Sequence, residues 1–471
     1  MRLLFVVLFL TVSVYGQQPF MDSITGAELK RHLEIIASDA FEGRGTGEKG
    51  QKLAAAYLSE QFAAYGLEQA EVLDSYFQKF ELHKVIPGGE LEVNGTRLSF
   101  PGQFLYTGPN TIEEENIEFI PFSSNSVGKE HEYALLVQGK ETYRELFGRI
   151  KDVQKAGFGG VGFLIEDWDN FNELYGHYFN EARLVFPGNV KTSFASLFID
   201  KKSFELSGKV KKWMKKSSGQ LKELLQGNVR LNDGVEVIET ENVLGVIPGS
   251  HPVLKDEVVV LTAHYDHLGK EDGVIYNGAD DDGSGTVALL EIAQSLALAK
   301  KAGQGPLRTI LIMPVTAEEK GLLGSKYYSE NPVFPMHNTI ANLNIDMIGR
   351  SDDLNEDPAY IYVIGSDRLS DDLHKTNEAA AEELGKIRLD YRYNSEDDPN
   401  RFYYRSDHYN FVVHGVPSIF YFSGVHEDYH QPTDTVEKID FEKLESVTRL
   451  IFLVTWKLAN AEERPVVNKL K

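Results

Sequence analysis

From residue 240 onward, short apolar runs alternate with longer segments of helical period. Val243–Ile247, Val258–Thr262, Thr309–Val315, Ile340–Ile345 and Ser418–Phe422 read as strands. Ala288–Leu298, Ser370–Leu384 and Phe441–Leu458 read as helices, the last with Asp440 placed to cap it. This alternation predicts an α/β three-layer sandwich around a mixed, largely parallel sheet, where ligands collect at the carboxyl ends of the strands. Near the start, Thr25 precedes Leu29, Leu33 and Ile36 at helical spacing. A second helical run, Leu53 to Tyr65, stops at Gly66. Between them Phe41–Gly47 is rich in glycine, but it lacks the preceding strand and following Gly-Lys-Ser/Thr of a phosphate loop.

Between about 95 and 235 the texture changes. Tyr133–Val137 and Ala195–Ile199 are strand-like, and Gly148–Gln154 leads into Lys155–Ile165, which reads as a helix end, a glycine turn and a buried strand. Lys209, Lys211, Lys212, Lys215 and Lys216 flank Val210, Trp213 and Met214 and read as the polar face of an amphipathic helix. The expected organisation is a discontinuous domain, 17–95 with 236–471, carrying a small β-rich insert at 96–235.

Composition narrows the function. The 471 residues include 48 Lys and Arg against 71 Asp and Glu, a net charge of -23 that disfavours nucleic acid or an anionic membrane as partner. Cysteine is absent, so disulfides, thiolate metal sites and a cysteine nucleophile are excluded. Arg2 followed by the apolar run Leu3–Val14 and the small residues to Gly16 reads as a signal peptide over 1–16, which predicts export to the periplasm or the medium. That run is shorter than the ~20 residues a membrane span needs, and no later segment reads as a span.

The chemistry lies at strand ends and in the loops after them. His264 with Asp266, Asp280-Asp281-Asp282, Glu318-Glu319, Asp346 and His430 come from five segments that the fold carries toward one edge. Mixed carboxylate and imidazole suits zinc, and the set exceeds the three protein ligands of a single catalytic zinc, so two Zn2+ are expected. A pair of ions ~3.5–4 Å apart needs a bridging carboxylate. In His264-x-Asp266 both side chains share one side, so Asp266 is expected to accept the second ring N–H of His264. His267 points the other way and reads as structural. In Glu318-Glu319, one carboxylate faces metal and the other is left to accept a proton.

The motifs His264-Tyr-Asp-His-Leu-Gly, Asn277-Gly-Ala-Asp-Asp-Asp-Gly-Ser-Gly, Thr316-Ala-Glu-Glu-Lys-Gly-Leu-Leu-Gly-Ser, Asn344-Ile-Asp-Met-Ile-Gly and Asp428-Tyr-His-Gln-Pro-Thr-Asp-Thr resemble, in order, the blocks of the dizinc aminopeptidase family. That family includes glutamate carboxypeptidases and glutaminyl cyclases. Residues 25–66, with Glu42-Gly-Arg-Gly, are similar to its N-terminal helices, and roughly 100–235 resembles its inserted protease-associated domain. The resemblance implies a zinc exopeptidase fold, Asp281 as bridging ligand, His264 and Asp346 completing one zinc site, and Glu319 and His430 the other. It also implies Glu318 as general base and a cis peptide at Asp281–Asp282. Asp280 departs from it, since close relatives often have Asn; its charge is expected either to raise the proton affinity of Glu318 or to face solvent.

The implied reaction is attack of a two-metal-activated water on a peptide carbonyl, with Glu318 carrying the proton to the leaving amine and Tyr429 donating to the oxyanion. Carboxylates beside the metals suit a free α-amine, so peptides with a free N-terminus are the expected substrates. A glutamate carboxypeptidase-like activity needs a cationic clamp, for which Arg401 and Arg405 are the nearby residues. Tyr404, Asp407 and His408, in a segment resembling one near the family's active site, are the pocket candidates. The rival readings are a glutaminyl cyclase-like acyltransferase and a peptide-binding protein with a vestigial peptidase.

Overall fold

The computed structural model describes residues 16–108, 111–188, 194–205, 225–232 and 234–469. The apolar run Leu3–Val14, expected to be part of a signal peptide, and the lysine-rich segment after 208 lie outside the described residues. Helix α1 (Gly26–Ile36) begins where the Thr25 hydroxyl accepts the Glu28 N–H at 3.3 Å. Helix α2 (Lys49–Tyr65) ends at Gly66, whose φ of 85° is the left-handed conformation a glycine adopts without strain.

The chain divides into two compact units, one formed by the chain up to Phe80 and from Glu239 onward, the other by Glu81–Ile238. The sequence put the first junction after residue 95. It falls at Glu81 because Gly89–Val93 pairs with Thr96–Ser99 on one side and Leu225–Asn232 on the other, all within the second unit. That unit carries an eight-stranded sheet in the order 96–99, 89–93, 225–232, 111–121, 132–137, 160–165, 195–200, 104–107. Its four strands from 111–121 to 195–200 are parallel, with antiparallel strands on either side.

The first unit is built on seven strands: β1 (Gly245–Ile247), β2 (Val258–His264), β3 (Thr309–Val315), β4 (Thr339–Ile345), β5 (Tyr360–Ile364), β6 (Arg388–Asp390) and β7 (Ser418–Phe422). Their spatial order is β1-β3-β2-β4-β7-β5-β6. β3, β2, β4 and β7 are parallel, β6 is parallel to β5, and β1 and β5 run antiparallel to their neighbours β3 and β7. β1 starts two residues later than its apolar run, because the Leu244 N–H donates to the Tyr76 carbonyl at 2.7 Å and ends the preceding strand.

Every residue of β2, β3 and β4 is buried, as a sheet covered on both faces requires. Alternation within β2 feeds two cores. Val259, Leu261 and Ala263 pack with α1, α2 and the helices α3 (Gly285–Lys301), α4 (Asp371–Leu384) and α5 (Phe441–Asn460), while Val258 and Val260 pack with Tyr328 and Phe411. The result is the expected sandwich, with the carboxyl ends of four parallel strands opening on one edge. Among the described residues, no helix is long and apolar enough to cross a membrane.

Candidate metal centre

His264 is the last residue of β2, Glu318 and Glu319 follow β3, Asp346 follows β4, His430 lies beyond β7, and Asp281 lies on the turn into α3. The fold brings these groups together. His264 Nε2 stands 3.2 Å from Asp281 Oδ1 and 3.6 Å from Asp346 Oδ1. His430 Nε2 stands 3.2 Å from both Asp281 Oδ2 and Glu319 Oε2. Ligand atoms on a tetrahedron of zinc-bond radius stand about 3.3 Å apart, so these separations fit two zinc ions sharing Asp281. Asp281 Oδ2 is buried and accepts no hydrogen bond, as a metal-facing oxygen does. The Asp281–Asp282 peptide is cis.

Groups around the cluster fix its members. Asp282 Oδ2 accepts the His264 N–H at 3.1 Å while its Oδ1 accepts those of Gly285 and Met347 at 2.9 and 3.1 Å, tying β2, α3 and the β4 end together. Asp434 Oδ2 accepts the N–H groups of Asp280 and Asp281 at 3.0 and 3.1 Å. The Ser406 hydroxyl donates to Asp346 Oδ2 at 2.6 Å. Asp428 is held by Arg350, Thr433 and Lys438 and orients the loop that carries Tyr429 and His430.

Arg44, fully buried, donates to the carbonyls of Ile36, Tyr265, Asn277 and Gly278 at 2.7–3.0 Å. It thereby joins the loop after β2 to the loop before Asp281. A Cβ on neighbouring Gly43 would lie 2.3 Å from the Gly269 carbonyl oxygen, so the chain passes here only as glycine. The glycine-rich loop is a backbone clamp built on Arg44, a role that glycine content alone does not signal.

Electrostatics follow the geometry. Burial opposes the charge on His264 and His430, but Glu318, Asp281 and Asp346 hold the first well above its ordinary value, and Asp281 and Glu319 hold the second up at about 10. Burial, with Asp346 and Glu319 adding to it, pushes Glu318 well above the usual carboxylate range. Burial, Asp281 and Glu319 push the Tyr429 phenol up and keep it a proton donor. The site stabilises positive charge, and burial also raises the proton affinity of Asp266 and Asp282, so Glu318 is one of several carboxyls held this way.

Residues 242–455 match the family model described as peptidase family M28. This segment carries the whole cluster and is similar to that family. It is 28% identical over 233 residues to aminopeptidase YwaD of Bacillus subtilis (strain 168), 48% of this chain and 46% of that protein. It is 29% identical over 230 residues to aminopeptidase Y of Saccharomyces cerevisiae, 46% of this chain and 38% of that one. The chain thus spans about half the length of the curated relatives it matches. The fold is that of the aminopeptidase from Aneurinibacillus sp. strain AM-1, with TM-score 0.58, 18% identity and coverage of 97% of this chain and 98% of the other. A zinc aminopeptidase from Bacillus subtilis gives TM-score 0.52 at 20% identity over 95% of this chain and 99% of its own.

Four expectations need correcting. The second ring nitrogen of His264 donates to the backbone carbonyl of Asp266 at 3.0 Å and is 3.9 Å from its carboxylate. The carboxylate instead accepts from Thr46 Oγ1 at 2.7 Å and from the Glu318 N–H at 3.2 Å. His267 faces the cluster, its Nδ1 2.8 Å from Glu319 Oε1. The chain leaves β2 after His264 and bridges to Gly45, so strand alternation no longer sets its direction. Asp280 is buried and meets His426 at 3.2 Å and the Gly349 N–H at 2.6 Å, facing neither solvent nor Glu318.

The pocket is the fourth. The cavity over the cluster is walled by Met347, Phe402, Arg405, Phe420, Phe422, Val425 and Tyr429, and Tyr404, Asp407 and His408 are not part of its lining. Tyr404 lies under the Arg401 guanidinium. Asp407 is buried against the Ser325 hydroxyl at 2.5 Å, and burial pushes it up to about 7. His408 is packed between Tyr403 and Phe420, where burial lowers it to about 3.

Proposed function

We propose that this chain is an exported zinc-dependent aminopeptidase that removes the N-terminal residue of peptides with a free α-amine. The observation that carries this reading is the placement of the two Asp281 oxygens, each 3.2 Å from a different imidazole, beside a carboxyl, Glu318, that is kept for protons. His264, Asp281 and Asp346 would hold one Zn2+, and Asp281, Glu319 and His430 the other. When bound, two zinc ions acidify a water toward neutral pH and draw charge from the scissile carbonyl.

The chain's own residues do the rest. Glu318 accepts the proton of the attacking water and returns it to the leaving amine, a task suited to its raised proton affinity. Its backbone is pinned through Asp266, which helps position the carboxyl. Tyr429, stacked on His430 with ring centres 3.9 Å apart, donates its phenol hydrogen to the developing oxyanion. The free amine is held among the carboxylates, and the first side chain enters the apolar wall of Phe402, Phe420 and Phe422.

The leader-like run Leu3–Val14 supports export. The position of 81–238 between the N-terminal helices and the catalytic strands supports its reading as a protease-associated domain. The test is hydrolysis of leucine p-nitroanilide and its N-acetyl derivative, with and without chelator. Release from the free amine alone, abolished by chelator and restored by zinc, is expected; equal hydrolysis of the blocked compound contradicts the proposal.

A further inference from the structure

The cluster's cavity shares Phe402, Arg405, Val425 and Tyr429 with a second cavity, whose other walls include Asp352, Leu354, Tyr393 and Asn400. Arg405 therefore stands where a substrate passing outward from the metals leaves the first cavity. Its side chain is exposed and its guanidinium lies over the Phe402 ring, 5.0 Å from the centroid. That stacking holds the plane and leaves its N–H edges available. The acids nearest in sequence are engaged elsewhere: Asp398 with the Phe402 N–H and Asn400, Asp407 with Ser325. Asp352 accepts from the Tyr360 and Tyr362 hydroxyls.

The same cavity is lined by Asp281, Glu318, Glu319 and Asp346, which disfavour an anionic group beside them. We propose that Arg405 is a specificity residue that binds a carboxylate on the leaving-group side of the substrate, so that short peptides with a free C-terminus are preferred. This rests on the aminopeptidase reading. An acidic side chain following the scissile bond presents the same chemistry, and the experiment separates the two. Because exposed Asp353 also faces the second cavity, the expected discrimination is about tenfold, below that of a buried bidentate pair.

The test compares kcat/KM for Leu-Gly, Leu-Gly amide, Leu-Asp amide and leucine p-nitroanilide in the wild type and in Arg405→Met. The wild type is expected to favour Leu-Gly over Leu-Gly amide about tenfold, with the ratio falling to near one in the variant. The same loss confined to Leu-Asp amide would transfer the role to an acidic side chain and overturn the preference for free C-termini. A wild-type ratio near one, or one that survives in the variant, overturns the proposal. Should the Met variant fail to fold, Arg405→Lys and the salt dependence of the wild-type ratio carry the test: an unchanged ratio in both overturns it. A wild type inert toward the anilide contradicts the aminopeptidase reading itself.

Discussion

The carboxylate of Asp266 accepts the backbone N–H of Glu318 at 3.2 Å. Asp266 thus pins the main chain at Glu318, the proposed general base, and the tautomer of His264 is set by a main-chain carbonyl that any residue at 266 supplies. Asp266→Ala is expected to lower kcat about 10- to 100-fold while leaving bound zinc unchanged. Parallel kinetics and metal analysis check this; loss of one zinc in step with activity would place Asp266 with the ligands instead.

Glu318→Gln keeps the shape of the side chain and removes its proton-accepting charge. The variant is expected to lose about 10²- to 10⁴-fold in kcat with zinc content and KM little changed. Single-turnover rates with a dipeptide measure it, and near-normal turnover would remove Glu318 from its role.

Arg44→Met leaves three buried carbonyls and one half-buried one, that of Asn277, without their donor. The expected cost is at least about 3 kcal/mol of unfolding free energy, together with weaker zinc binding because the loops flanking His264 and Asp281 lose their link. Urea unfolding and competitive chelator titration report the two effects. Arg44→Lys, with one donor group in place of a fork, should recover little of either.

Glu291 on α3 is buried with His32 of α1 3.6 Å away and lies near Glu28. Burial and Glu28 raise its pKa from 4.5 to about 7. A folded-state value above the unfolded one means that its stabilising protonation is fully present below about pH 4.5 and is lost as pH rises through about 7. His32 has the opposite sign: burial and Arg31 lower it from 6.5 to about 4, so its contribution holds above 6.5 and is lost as pH falls through 4. Glu291→Gln should therefore gain on the wild type by up to about 3 kcal/mol between pH 4.5 and 8. Urea midpoints across that range test it; parallel profiles would contradict it.

The parallel core was legible because Val258–Thr262 and Thr309–Val315 are uninterrupted apolar runs, as strands buried on both faces must be. Tyr360–Ile364 and Arg388–Asp390 escaped notice: the first is short and tyrosine-rich, and the second has one apolar residue in three. The five metal-site candidates were taken from strand ends and the loops after them, and their side chains come together in one cluster. What lies around them was not. Asp266, His267 and Asp280 were assigned from local spacing, but their partners, Glu318, Glu319 and His426, come from distant segments. The pocket wall was missed because it is made of the inward side chains of β7, Phe420 and Phe422, which in sequence look like ordinary core.

The central claim is that Asp281 joins two zinc ions into one catalytic unit. Its most direct test is the number of zinc ions per chain in the zinc-saturated, gel-filtered protein, measured alongside Asp281→Asn. The account predicts two in the wild type and at most one in the variant. A wild type that saturates at one, or a variant that still holds two, would contradict it.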